Sequence, residues 1–144
     1  MSSDTESGLG SNRLNGIQNI LDGKFDIRQG IDDLCEALRN IRCHREYEAE
    51  IKVVNGIRHI KEGLCQIKKG LRELRGLIDR EDRREIKEGI RDICRGLKEL
   101  CQVLKDICCG CWHEAEENLV RAIKLIEKGL CRIEKGLDDL FLYS

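Results

Sequence analysis

The sequence contains no proline, and aromatic side chains make up only 3% of its residues. A chain rich in Glu, Lys, Arg and Leu with so few aromatics has the composition of coiled coils and other long-helix proteins. No apolar run approaches the roughly 18 residues that a membrane-spanning helix needs, and we expect no contact with a membrane. A large excess of one charge is also missing, because 26 basic residues are balanced by 27 acidic ones. With no overall field to attract nucleic acid, we expect no such partner.

The motifs of several common enzyme classes are missing as well. There is no His-Glu-x-x-His, no Glu-x-x-His of a di-iron bundle and no glycine-rich phosphate loop after a strand. The three histidines lie beside no credible nucleophile, and we expect His59 to be solvated. The sequence therefore predicts a protein that is not an enzyme.

The first eleven residues differ in composition from the rest of the chain. Residues 1–11 are polar and rich in Gly and Ser, without the basic stretch and apolar core of a secretory signal. We expect them to form a disordered tail, with one domain over residues 12–144 and a cytoplasmic location. Nine cysteines are many for a reducing compartment, and their odd number also argues against a closed disulfide framework.

An internal repeat is the strongest positive feature of the sequence. The segment 63–71 recurs with two differences at 129–137, which is 66 positions later. At half that offset the columns persist, as in Gly30, Gly63 and Gly96. Self-similarity at a fixed period is strong evidence of a repetitive architecture. Each unit of 33 residues predicts one helix and two units predict one hairpin, which gives repeats over residues 12–78 and 79–144.

Within each unit, Leu and Ile recur at alternating spacings of three and four residues. The second unit shows the pattern from Ile57 through Ile60, Leu64 and Ile67 to Leu71. This is a heptad seam with apolar a and d positions. Because 33 is not a multiple of seven, the seam loses phase at each junction, and a turn is the simplest cause. We therefore predict an all-α protein, an antiparallel up-down-up-down four-helix bundle made of two tandem hairpins. One continuous helix is the alternative, because 33 residues also make nine turns at about 3.67 residues each.

Turn signals support two of the three junctions. Gly76 can end the second helix in a left-handed conformation, and Gly110 can end the third. Asp79 is a candidate N-cap of the third helix, with Asp82 placed as in a capping box. The first junction, residues 43–46, contains no helix breaker, so its turn is inferred from the repeat alone.

The glycines inside the predicted helices occupy one heptad column. Each lies one place before an a residue, at position g, and Ala37, Ala49, Ala115 and Ala122 share the column. A glycine inside a helix costs about 0.8–1.0 kcal/mol relative to alanine, so the column requires a compensating gain. Small residues beside the seam let two backbones approach closely, although repetition of a tolerated glycine is the alternative. The residues predicted to pack closely are Gly23, Gly30, Gly56, Gly63, Gly70, Gly89, Gly96, Gly129 and Gly136, with Gly16 in the same column.

The cysteines fall into two heptad classes. Cys35, Cys94, Cys101 and Cys108 lie at position e, next to a d residue. At this position a free cysteine can serve as a small buried hydrophobe facing a neighbouring helix. Cys65 and Cys131 lie at position b and should be more exposed.

A denser group of potential ligands surrounds the third junction. In the predicted bundle the first junction lies at the same end, which adds two further ligands to the group. Thiolates and imidazoles at this density can bind zinc or copper(I), although a zinc ribbon would carry two C-x-x-C pairs. The candidate ligands are Cys43, His44, Cys108, Cys109, Cys111 and His113.

Three functions are therefore compatible with the sequence. The leading hypothesis is a non-enzymatic structural or interaction protein that self-associates or binds a helical partner and needs no cofactor. The alternative is a thiol-based metal-binding or metal-storage bundle that holds zinc or copper. The third is a thiol redox enzyme that uses Cys108 and Cys111.

Overall fold

The computed structural model describes residues 2–142, with the side chains of residues 11–140. The described chain consists of four helices joined by short turns, and no strand occurs in this range. One continuous helix, the alternative prediction, is therefore excluded. The helices are α1 (Ser2–Arg42), α2 (Glu46–Glu73), α3 (Arg80–Cys108) and α4 (Trp112–Leu142).

The start of α1 overlaps the predicted tail. Its helical bounds begin at Ser2, but the side chains of residues 1–10 lie outside the described part of the chain. The disordered tail over residues 1–11 therefore stays a prediction, as does the domain over residues 12–144.

The four helices form two hairpins that lie side by side. Helix α1 packs along α2 and α3 packs along α4, whereas α1 touches α4 and α2 touches α3 much more sparsely. Neighbouring helices run in opposite directions, which confirms the predicted all-α up-down-up-down bundle of two tandem hairpins. One apolar core extends through both hairpins.

Glycines line the contact between the helices of each hairpin. A Cβ added to Gly63 would lie 2.5 Å from the carbonyl oxygen of Gly23 and 2.7 Å from Cγ1 of Ile27. Real Cβ atoms essentially never approach so closely, so each backbone occupies the space that a side chain of the other helix would need. The facing pairs are Gly16 with Gly70, Gly23 with Gly63, Gly30 with Gly56, Gly89 with Gly129, and Gly96 with Ala122.

Because of the glycine column, the contact between the helices of a hairpin includes heptad position g as well as position d. On α1, the d residues Ile20 and Ile27 are fully buried, whereas the a residues Ile17 and Ile31 are half-buried. Positions d and g therefore make the contact within a hairpin. The predicted a positions are buried unevenly, since Leu64, Leu71 and Leu130 are at most 5% exposed. The a side chains turn toward the other hairpin, where packing is looser.

The two turns of the cysteine-rich end have the same construction. In the second turn, the Gly110 N–H donates to the carbonyl of Ile107 (3.1 Å) and the Cys111 N–H donates to that of Asp106 (2.8 Å). In the first turn, the His44 and Arg45 N–H groups make the equivalent bonds at 3.0 and 2.9 Å. Both are Schellman motifs, which require a left-handed residue. Gly110 supplies it with φ 71°, whereas His44 supplies it with φ 55° without being a glycine.

The remaining turn, between α2 and α3, agrees in part with the sequence signals. Gly76 is left-handed with φ 78°, as predicted, and Asp79 is the N-cap of α3. The Asp79 side chain makes no capping hydrogen bond, so the predicted capping box is wrong. Its second member, Asp82, is instead buried against Asp139 of α4.

Candidate functional site

The end of the bundle that carries the turns at residues 43–45 and 109–111, here called the loop end, holds the predicted ligand group. The rings of His44 and Trp112 stack there, with centroids 5.0 Å apart and planes inclined by 5°. This contact joins the two turns, so Cys43 and His44 do lie at the same end as the second group of cysteines. Four thiols are exposed at the loop end, those of Cys43, Cys108, Cys109 and Cys111.

The six predicted ligands share this end without converging on one point. Cys109 and Cys111 lie close to each other, whereas Cys108 lies near Glu46 and Glu50 of α2. The imidazole of His113 turns outward to Glu117, with Nε2 3.0 Å from the carboxylate. Within the described part of the chain, no three Cys, His, Asp or Glu side chains are grouped as metal ligands would be. Zinc or copper binding at these residues therefore stays a prediction.

The surroundings of the C-x-x-C pair raise the pKa of both of its thiols. Partial loss of hydration, followed by the negative charges of Glu50 and Glu46, raises the pKa of Cys108. The pKa of Cys111 is raised by the same loss of hydration and then by the adjacent Cys109. Catalytic redox cysteines have a lowered pKa, because the thiolate is the nucleophile. Neither Cys108 nor Cys111 has this lowered pKa, and redox catalysis by the pair stays a prediction.

The other cysteines partly follow the heptad prediction. Cys35 and Cys94 are half-buried against the core, and Cys65 and Cys131 are exposed, as expected. Cys101 and Cys108 are exposed, so their predicted role as buried hydrophobes is wrong. Position e faces the sparse contact between the hairpins, which does not cover these side chains.

An exposed row of apolar side chains begins beside the loop end. Tyr47, Ile51 and Val54 expose 72%, 39% and 49% of their surface, at spacings of four and three residues on one face of α2. We call these three residues the apolar stripe. The sequence analysis missed them, although their positions b and e, outside the seam, were a usable signal. Two further exposed apolar residues, Leu14 and Phe25, lie on α1.

Polar side chains beside the contact between the helices of each hairpin form hydrogen bonds that stabilise the fold. His59 was expected to be solvated, but it is half-buried and its Nδ1 lies 2.7 Å from the carboxylate of Asp33 across the first hairpin. In the second hairpin, Asp106 accepts hydrogen bonds from Gln102 (2.9 Å) and Asn118 (2.8 Å). These side chains fix the alignment of facing helices, because a buried polar group is costly without its partner.

Two further buried aspartates of α3, Asp92 and Asp82, have less favourable partners than Asp106: one lacks a hydrogen bond and the other faces a second carboxyl group. Asp92 is 2% exposed, and its Oδ2 lies 3.2 Å from Nη1 of Arg132 without hydrogen-bond geometry. Burial, followed by a hydrogen bond and repulsion from Asp139, raises the pKa of Asp82 to about 6. The burial of these two carboxyl groups was not predicted from the sequence, in which Asp82 was placed in a capping box.

The fold therefore defines the class of this protein, an antiparallel four-helix bundle made of two glycine-seamed hairpins. Comparison with protein-family models, with curated proteins and with solved structures gives no match to this chain. None of the described helices combines the length and apolar character that crossing a membrane requires.

Proposed function

We propose that this chain is a non-enzymatic structural protein that self-associates through its loop end. The observation that carries the proposal is the apolar stripe, which starts at the end where four thiols are exposed. Single exposed apolar residues are normal, but a contiguous row on one helix face is typical of an interaction site. Helices that dock in grooves use this spacing of three and four residues.

A second copy of the chain is the simplest partner for the stripe. Two α2 helices packed antiparallel about Ile51 would bury both stripes in one self-complementary contact. The exposed thiols of Cys43 and Cys108 then lie at its margin, where they are available for cross-linking.

Sedimentation velocity under reducing conditions tests this proposal over a range of protein concentrations. We expect a reversible dimer, and we expect Ile51→Lys to weaken it by at least about tenfold, since it buries a charge in the contact. Phe25→Lys is the matched control, because Phe25 is also exposed but lies on α1. A monomer at every concentration, or equal weakening by both substitutions, would contradict the proposal.

The alternative function, a thiol-based zinc or copper site, rests on the proximity of Cys109 and Cys111 and on the shared loop end. Two more ligands would have to rotate inward from Cys43, His44 or Cys108. Titration of reduced protein with zinc tests this function. Stoichiometric binding that disappears in Cys109→Ser/Cys111→Ser would support it, and its absence would leave self-association as the function of this end.

A further inference from the structure

Heptad positions b and e of α2 and α3, continued into the turn between them, form a second surface along the groove between the two hairpins. Within α2 and α3 these two columns hold ten basic residues and no acidic one, and Arg75 of the turn is an eleventh. All eleven are exposed, as is Asp79, an acidic residue of the same turn. The other exposed positions in the columns are thiols or members of the apolar stripe. The eleven residues, here called the basic groove, are Arg58, Lys61, Lys68, Arg72, Arg75, Arg80, Arg84, Lys87, Arg91, Lys98 and Lys105.

The positive charges of the basic groove are largely uncompensated. Among the described residues, Arg91 alone of the eleven has a carboxylate within 4.0 Å, that of Glu88 at 3.9 Å. A depression of about 440 Å³ lies between Lys68 and Arg72 of α2 and Lys87 and Arg91 of α3. Like charges held together on two helices repel one another, so an anion in the groove would stabilise this surface.

The net charge of the chain gives no sign of the basic groove, because many acidic residues lie on another face of the bundle. The outer face of the first hairpin carries Asp22, Asp26, Asp33, Glu36 and Glu62. The acids there crowd one another, since burial and then repulsion from Glu62 raise the pKa of Asp26. A net charge of −1 is therefore an average over two faces of opposite sign, and it does not describe the basic groove.

We propose that the basic groove binds the phosphate backbone of a nucleic-acid duplex without base specificity. From Arg80 to Lys105 it extends about 37 Å along α3, the length of about eleven base pairs. Arginine and lysine neutralise phosphates at any sequence, and interfaces with nucleic acid are far more positive than those between proteins. The apolar stripe lies in the same columns of α2 nearer the loop end, so the proposal is tested at Lys87 and Arg91 of α3, which lie outside the stripe.

Between Lys68 and Arg91 the groove exposes almost no apolar surface on which an acidic protein or a lipid bilayer could anchor, because Leu71 and Ile90 are only 5% and 9% exposed. The exposed apolar residues of the same columns, those of the apolar stripe, lie at the loop end. Tyr47, at the loop end, is the one aromatic side chain in these columns of α2 and α3, so an unpaired strand would find no row of rings on which successive bases could stack. A duplex is therefore favoured over a single strand, which proteins bind largely by stacking.

Fluorescence anisotropy with a labelled duplex DNA of about 16 base pairs and the full-length reduced protein tests the proposal. We expect binding that weakens steeply with KCl and does not depend on base sequence. Lys87→Glu/Arg91→Glu should weaken binding at least about tenfold at low salt, with a shallower salt dependence. Lys124→Glu/Lys128→Glu on α4 changes the net charge equally and should leave the affinity within about twofold to threefold, because these exposed lysines lie outside the groove.

Two further measurements separate phosphate binding in the groove from misfolding of a variant and from a general effect of charge. Circular dichroism should show equal helix content in both variants, and the milder Lys87→Gln/Arg91→Gln should give an intermediate loss of affinity. The proposal is overturned by absent binding at low salt, by equal losses in the groove and control variants, or by tighter binding of a single strand. It is also overturned if anionic phosphatidylserine vesicles bind and the duplex does not.

Discussion

Gly63 of α2 faces Ile27 of α1 across a gap with no room for a methyl group. The Cγ1 atom of Ile27 lies 2.7 Å from the point that a Cβ on Gly63 would occupy, and the carbonyl oxygen of Gly23 lies 2.5 Å from it. The carbonyl belongs to the backbone and cannot move without shifting α1. The same relationship recurs in the second hairpin between Gly129 and Ile93.

Gly63→Ala should destabilise the protein, although alanine is the better helix former. The propensity gain of about 1 kcal/mol is outweighed by an overpacking cost of about 1–3 kcal/mol for displacing the facing helix, and larger side chains should cost more. Urea denaturation measures the difference. Gln29→Gly and Gln29→Ala, at an exposed position of α1, measure the propensity effect alone. A more stable Gly63→Ala protein would show that the glycines are dispensable copies of a repeat.

Asp82 should make stability depend on pH in the acidic range. Its pKa in the folded protein, about 6, lies above the ordinary 3.8, so folding favours the protonated carboxyl. Stability from this group is greatest below about pH 4 and falls as the pH rises to about 6, because the folded state holds more protons there. Asp82→Asn should remove this fall and raise stability at pH 7 by about 1–3 kcal/mol. Thermal melts across this range, with the exposed Asp138→Asn as control, measure the effect, and an unchanged profile would contradict it.

The buried carboxylate of Asp92 should make Arg132 important for stability. Arg132→Met leaves Asp92 with Arg95, whose Nη1 lies 3.5 Å away on an exposed side chain, as its nearby cation. We expect a loss of about 1–3 kcal/mol, because an inadequately paired buried charge is costly. Arg121→Met, which removes an exposed cation 3.7 Å from Glu99, should change stability by less than about 0.5 kcal/mol. Adding Asp92→Asn to Arg132→Met should recover most of the loss in urea denaturation, and no recovery would argue against this pairing.

The thiols should react at rates that their exposure alone does not predict. Cys43 and Cys108 are both exposed, but the raised pKa of Cys108 leaves less thiolate at a given pH. Iodoacetamide at about pH 8 should therefore alkylate Cys108 more slowly than Cys43. Cys35, which is half-buried and has a raised pKa, should be slower than Cys43 as well. Peptide mass spectrometry over time measures each rate, and faster labelling of Cys108 than of Cys43 would revive the redox hypothesis.

The architecture was predictable because it repeats. A period of 33 residues with Leu and Ile every three or four positions predicts four helices that fold back as hairpins, and the structure agrees. The register of the seam was not predictable from apolar residues alone. Gly63 has no side chain to mark it as core, yet it lies directly against the backbone of α1, so position g belongs to the contact.

The candidate site was harder to predict, because it depends on departures from the repeat. His44 stands where the second hairpin has Gly110, and only the fold shows that it adopts the left-handed conformation there. The six potential ligands lie at one end, as expected. Whether they converge on one point depends on the directions of their side chains, and the spacing of residues along a helix does not determine those directions. The apolar stripe, by contrast, was visible in the sequence as apolar residues on a polar face.

The sparse contact between the hairpins has a consequence for how the molecule assembles itself. Most of the packing joins segments that are neighbours along the chain, and such short-range topology favours rapid folding. Each hairpin can form from its own turn before it packs against the other hairpin. The nascent polypeptide can thus complete one half of its interior while the remainder is still being synthesised.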